Sequence, residues 1–134
     1  MHVHSINIIT DTTDQMISRL KAGLPTDSFD QLRQGLNLTD HALARIVQIS
    51  KRTLDRRRAV GRFSTDESER VLRLAQVFDM AIEVFGSPQK AESWLKKPAR
   101  GLGGKIPLEY TDTQLGVQEV IFLLGRIDHG IFPG

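Results

Sequence analysis

Cysteine is absent from the 134 residues, so the chain has no disulfide framework and no thiolate metal site, which fits a reducing cytoplasm. Long apolar runs are missing too. No window approaches the ~18 consecutive apolar residues of a membrane span, and no membrane partner is expected. The opening stretch, MHVHSINIITDTTD, lacks a basic n-region, so no secretory signal is expected there. Charge of one sign is also lacking overall: 18 Lys and Arg against 16 Asp and Glu leave +2, which says nothing about partners until the charges are placed along the chain. What is present is a 40% hydrophobic content, enough for a packed interior and too much for a disordered chain. The length suits one domain or two small helical ones sharing a core.

Capping signals punctuate the chain. Residues 1–11 read as a weakly ordered arm in which INII is too short for a convincing strand. Thr12 and Gln15 stand at capping-box spacing ahead of Ile17 and Leu20, and Gly23 with Pro25 stop that helix. A second helix starts near Asp27 or Ser28 and runs to about Leu36; a third spans Thr39 to about Val47. The fourth begins at Ser50 and ends near Gly61. Ser64 and Glu67 open the longest helix, which ends at Phe85 before Gly86. There Val71, Leu74, Ala75, Phe78, Ala81, Ile82 and Phe85 share one face, and Glu69, Arg73, Gln76, Asp79 and Glu83 the other. Ser87-Pro88 starts a helix carrying Trp94 and Leu95, which stops before Pro98. Thr111 and Gln114 repeat the capping-box spacing ahead of a last helix to about Asp128. With no convincing strand, repeat or low-complexity tract, the fold class is all-α.

The even charge balance hides a local excess. SKRTLDRRRAVGR, Ser50 to Arg62, holds six cations (Lys51, Arg52, Arg56, Arg57, Arg58, Arg62) against Asp55 alone. On a helix Lys51, Arg52, Arg56, Arg58 and Arg62 spread over one broad face, with Leu54 and Val60 towards the other side. A solvated helix face would carry such charges; so would a surface that attracts a phosphate backbone. The preceding residues favour the second reading. Two helices of a helix-turn-helix cross at a small residue, here Ala44, and are wedged by apolar ones, here Leu43, Val47, Ile49 and Leu54, with Ser50 capping the second. Gln48 occupies the turn position that glycine usually holds. Arg57 falls at the edge of the motif's own core and is left out of the base-reading set.

WLKKPARGLGGKIP, Trp94 to Pro107, invites comparison with a phosphate-cradling loop. A Walker-type loop needs glycine, four residues, then Gly-Lys-Ser/Thr between a strand and a helix. Here the first glycine would fall at Ala99, the Ser/Thr at Ile106, and a helix precedes the segment. It is not an ATP site. The glycines instead permit a tight reversal between Pro98 and Pro107, with Trp94, Leu95 and Leu102 pinning the loop to the core. His2, His4, His41 and His129 show no zinc-ligand spacing. Asp128 and His129 are neighbours in a helix and point in different directions. No catalytic constellation emerges, so neither an enzymatic activity nor a cofactor is expected.

On the last helix Val117, Val120, Ile121, Leu123, Leu124 and Ile127 form a wide apolar face suited to the core. Leu115 and Phe122 fall on another side with Gln118, Glu119 and Arg126. That pair either forms a partner surface or is covered by the N-terminal helices, or sits exposed without a role. After Gly125 and Gly130 comes an apolar tail, Ile131 to Gly134, whose aromatic suggests docking on a neighbouring subunit or in a partner's cleft.

Three stretches together, LARIVQISKRTLDRRRAVGRFSTDESERVLRLAQVF, AESWLKKPARGLGGKIPLEY and GVQEVIFLLGRIDHGIF, resemble the MbcA/ParS/Xre antitoxins, partners of RES-domain toxins in type II toxin–antitoxin modules. The resemblance covers about Leu38 to the C-terminus. It implies a two-part helical protein, which with the arm read above (1–11) divides the chain into a Xre-like helix-turn-helix region (12–62) and a helical toxin-binding and dimerisation domain (63–134). It further implies neutralisation of an NAD-depleting toxin by occlusion of its active-site cleft, binding to operator DNA for autoregulation, and a homodimer. By position, Lys51, Arg52 and Arg56 match the DNA-recognition helix, and the candidate DNA-binding set is Ser50, Lys51, Arg52, Thr53, Arg56 and Arg58. The glycine loop, the end of the last helix and the tail belong to the toxin-facing region: Leu102, Gly103, Gly104, Lys105, Arg126, His129, Gly130, Ile131 and Phe132. The rival reading is a stand-alone helix-turn-helix repressor whose C-terminal domain only dimerises. A third is a scaffold that uses the motif for packing.

Overall fold

Why so many helices form is visible at their first residues. In the computed structural model, which describes Ser5, Ile6 and residues 12–130, Thr12 accepts from the Gln15 amide while the Gln15 side chain accepts from the Thr12 amide. This reciprocal cap opens α1 (Thr13–Ala22). Thr39 caps α3 (Asp40–Ile46), Ser50 caps α4 (Lys51–Val60) and Ser87 caps α6 (Pro88–Leu95), each accepting from a backbone N–H three residues on. Between them α2 runs Asp27–Leu36, its N-cap Thr26 making no side-chain bond, and α5 runs Thr65–Phe85. Ser64 and Glu67 form the second reciprocal cap, at 3.2 and 2.8 Å.

The chain divides into two compact units, residues up to Gln76 and residues from Val77, so α5 contributes to both. In the first unit Phe29, Leu32 and Leu36 of α2, Leu43 and Ile46 of α3, Leu54 of α4 and Val71, Leu74 and Ala75 of α5 are buried. The Phe29 and Phe63 rings pack with centres 6.2 Å apart and planes tilted by 51°. The buried Ser68 hydroxyl accepts from the Leu24 amide at 2.8 Å, satisfying a donor that would otherwise be stranded. Residues 5 and 6 depart from the expectation of a loose arm: Ile6 is buried and the Ser5 hydroxyl donates to the Ala75 carbonyl. The INII stretch beyond Ile6 and the tail from Ile131 lie outside the described residues.

In the second unit Val77, Phe78 and Ala81 of α5 are buried, as are Ala91 and Leu95 of α6 and Val117, Val120, Leu123 and Leu124 of the last helix, α8 (Gln114–Asp128). The Phe85 and Trp94 rings pack with centres 5.3 Å apart and planes tilted by 36°. The opening of α8 corrects the sequence reading. Pro107 starts a short helix, α7 (Pro107–Tyr110), and Thr111 is its buried C-cap, donating to the Leu108 carbonyl. The cap of α8 is Thr113, which accepts from the Gly116 amide at 3.0 Å. Gly116 is required there, because a Cβ would collide with the Tyr110 carbonyl oxygen. Among the described residues there is no strand, only two isolated bridges, Pro25 with Arg62 and Ala99 with Lys105. The fold is all-α.

Candidate functional site

The helix-turn-helix is built as its sequence requires. Leu43, Ala44, Val47, Ile49 and Leu54 are all buried, wedging α3 against α4. The turn runs through Gln48 at φ 57°, the left-handed region that a residue with a Cβ adopts only with strain. Three contacts hold it there. The Ile49 amide donates to the Ala44 carbonyl, and Arg70 of α5 donates to the Val47 carbonyl at 2.7 Å and to the Gln48 carbonyl at 3.4 Å. Arg70 was not singled out from the sequence, since nothing local marks an arginine on a distant helix as a clamp on a turn.

The six cations of the basic segment have different duties. Arg57 forms a two-pronged pair with Glu67, at 2.8 and 3.1 Å. Burial pushes the Glu67 carboxyl up, but hydrogen bonds from Arg57 and Ser64 outweigh it and hold the pKa below its ordinary value. Arg58 donates to Asp40 at 2.8 and 3.1 Å and to Asp30 at 2.6 Å, with its guanidinium 5.5 Å from the Phe29 ring centre. The Arg58 hydrogen bonds hold Asp40 low against the opposing effect of its burial, and Arg58 is raised in turn. Arg62 lies past the helix end at Gly61 and donates to the Gly23 carbonyl at 2.8 Å. Lys51 pairs with Asp55 at 3.0 Å on the surface, a contact worth little. Arg52 and Arg56 are exposed, one turn apart, with no acidic partner among the described residues.

One expectation from the charge pattern changes. Arg58 is a tether from α4 to α2 and α3 rather than a free phosphate contact, because Asp30 and Asp40 flank it in space though not in sequence. Val60, away from the cations as expected, is 73% exposed, being displaced around the helix from the buried Leu54. Ser50 is the cap of α4, and Thr53 donates its amide to that cap, leaving Lys51, Arg52 and Arg56 as the outward cations of the expected DNA-binding set.

The glycine loop is a closed turn. Gly103 (φ 64°) and Gly104 (φ 84°) reverse the chain after a single 3-10 turn, Arg100–Leu102. The amides of Gly103, Gly104 and Lys105 donate to the carbonyls of Arg100, Ala99 and Leu102, so the donors a phosphate cradle would present are already bonded internally. Leu102 is half-buried, while Gly103, Gly104 and Lys105 are exposed. Close by, a depression of about 310 Å³ is lined by Gly101, Glu119, Phe122, Leu123 and Arg126. The structure thus brings the 3-10 turn beside α8, which the sequence had grouped only by position. Phe122 is 62% and Leu115 69% exposed, and Arg126 lies 4.8 Å over the Phe122 ring. His129 is the C-cap of α8 and Gly130 follows at φ 70°; Ile131 and Phe132 lie outside the described residues. No group of three metal-ligating side chains occurs among the described residues, and no helix among them is long and apolar enough to cross a membrane.

Comparison with known proteins places both units. Residues 15–76 match the antitoxin Xre-like helix-turn-helix domain, and residues 80–130 match the antitoxin Xre/MbcA/ParS C-terminal toxin-binding domain. The antitoxin Xre of Yersinia enterocolitica is 35% identical, over 87% of this chain and 80% of its own. That of Photorhabdus laumondii is 39% identical, over 84% and 77%. In Sphingobium sp. strain YBL2 a protein named Prs ADP-ribosylating antitoxin is 29% identical, over 87% and 79%. A chain in the crystal structure of the M. tuberculosis MbcT–MbcA toxin–antitoxin complex superposes with a TM-score of 0.63 at 25% identity, over 81% of this chain and 96% of that one.

Proposed function

We propose a function from one premise: this chain belongs to the Xre/MbcA/ParS family of antitoxins, with a helix-turn-helix domain and a toxin-binding domain. On that premise it neutralises a cognate RES-domain, NAD-depleting toxin by covering the toxin's active-site cleft. The observation that carries this reading is the exposed Leu115–Phe122 pair on α8, inside the residues that match the toxin-binding domain. Phe122 lines the depression beside the 3-10 turn, and large apolar side chains left bare are what a partner buries first. A stable complex needs on the order of 1,000 Å² of buried surface, so the glycine turn, His129, Gly130 and the tail with Ile131 and Phe132 contribute as well. Inhibition is steric, with no catalysis and no cofactor supplied by this chain, and it takes place in the cytoplasm.

Residues 12–62 act as the operator-binding region for autoregulation, and residues 63–134 bind toxin and pair with a second copy. The test is intracellular NAD in cells expressing the cognate toxin with and without this protein. NAD collapse with the toxin alone and recovery on co-expression supports the reading; collapse that co-expression leaves unchanged refutes it.

A stand-alone repressor is the second reading, favoured by the two outward arginines of α4. Under it, Arg52→Ala with Arg56→Ala removes the biological effect. Under the antitoxin reading the same pair of changes spares neutralisation.

A further inference from the structure

We propose that Arg52 and Arg56 are base readers rather than phosphate contacts, and that the DNA site of this protein carries two guanines one or two base-pair steps apart. The inference rests on the operator-binding reading and goes further by naming the bases. Arg57 is committed to Glu67, Arg58 to Asp30 and Asp40, and Arg62 to the Gly23 carbonyl. Lys51 has Asp55 beside it. The motif's second helix therefore presents two guanidinium groups that no acid of the described residues engages, and both are exposed.

Their spacing supplies the geometry. Four residues at the rise of an α-helix put Arg52 and Arg56 about 6 Å apart along α4, on one outward face roughly opposite the buried Leu54. That separation spans one to two base-pair steps of a duplex at about 3.4 Å each. The second helix of such a motif lies in the major groove, and there guanine alone offers the paired acceptors O6 and N7. A planar guanidinium matches that pair with two parallel N–H donors in a fixed fork; an ammonium reaches the same two acceptors without that fixed geometry. Next along the same face, Ala59 is exposed and too short to hold the helix away from the base edges. The Arg58 tether to α2 and α3 and the Arg70 clamp on the turn fix the helix that carries the two readers, which base recognition demands and general phosphate attraction does not.

The test is selection from a library of short duplexes with a randomised core by the full chain at fixed salt. It is run in parallel with Arg52→Lys and Arg56→Lys, which keep the charge and lose the fork. Expected is an enriched core with two guanines one or two steps apart in the wild type. Each lysine variant should lose the preference at one of them, with roughly a 10- to 100-fold drop in guanine-over-adenine discrimination and an unchanged salt slope. Duplex binding with no enriched guanines, or a motif that both variants keep, overturns this inference and leaves operator binding standing. Absence of any duplex binding by the wild type overturns both.

Discussion

At Gln48 the chain accepts a backbone conformation that its side chain disfavours, because the turn between α3 and α4 needs it and Arg70 holds it. Glycine adopts φ 57° without that strain, though it loses more chain entropy on folding. Gln48→Gly is therefore expected to stabilise the protein by about 1 kcal/mol, seen as a rise in Tm. A fall in Tm would show that the Gln48 side chain contributes more than the strain it brings. Two carboxyls set the response to acid. Asp40 and Glu67 both bind protons less readily in the folded chain than at their ordinary values, 3.8 and 4.5. Their contribution is complete above those values and is lost as pH falls through the lower folded ones. Thermal melts from pH 7 down to pH 3 should show Tm dropping in the acid range, and Glu67→Gln should flatten that drop while lowering Tm at neutral pH. An acid limb of unchanged steepness in the variant would assign the loss to other groups. None of these pairings was legible in the sequence, where Asp30, Asp40 and Arg58, or Arg57 and Glu67, are separated by ten residues or more; only their packing makes them neighbours.

Helices were legible because their ends are written locally. Thr12, Thr39, Ser50, Ser64 and Ser87 all mark helix starts, each one a short polar side chain placed to bond a nearby amide. Thr111 misled for the same reason: its spacing to Gln114 fits a cap, yet Pro107 nucleates α7 and uses Thr111 to end it. Element stability follows these bonds. Ser50→Ala removes the oxygen that accepts from the Thr53 amide and is expected to cost about 1 kcal/mol. Ser50→Asp keeps the cap and suits the helix dipole, but adds an anion beside Arg52 and Lys51. It should hold Tm and weaken duplex binding, and undiminished binding would remove the start of α4 from the DNA surface. At the head of α8, Gly116→Ala drives a methyl into the Tyr110 carbonyl. A loss of about 1–3 kcal/mol is expected from the forced shift of backbone, and an unchanged melt would contradict the close approach.

At the scale of the molecule, family membership was legible in scattered residues of the C-terminal half, from Trp94 to Gly130, although no local rule links them. What the sequence left open was the state of Leu115 and Phe122, since burial depends on what other elements cover. The structure leaves both bare and sets Arg126 on the Phe122 ring. If toxin binding and DNA binding are separate surfaces, changes in α4 and α8 should act independently. Arg52→Ala with Arg56→Ala should abolish operator binding and spare neutralisation. Phe122→Asp should do the reverse with the fold intact, since the side chain is exposed. Occlusion is tested by NAD consumption by the purified cognate toxin titrated with this protein. Consumption is expected to fall to nothing at a fixed stoichiometry and to return when Phe122→Asp replaces the wild type. Consumption that continues while a stable complex is present would contradict it.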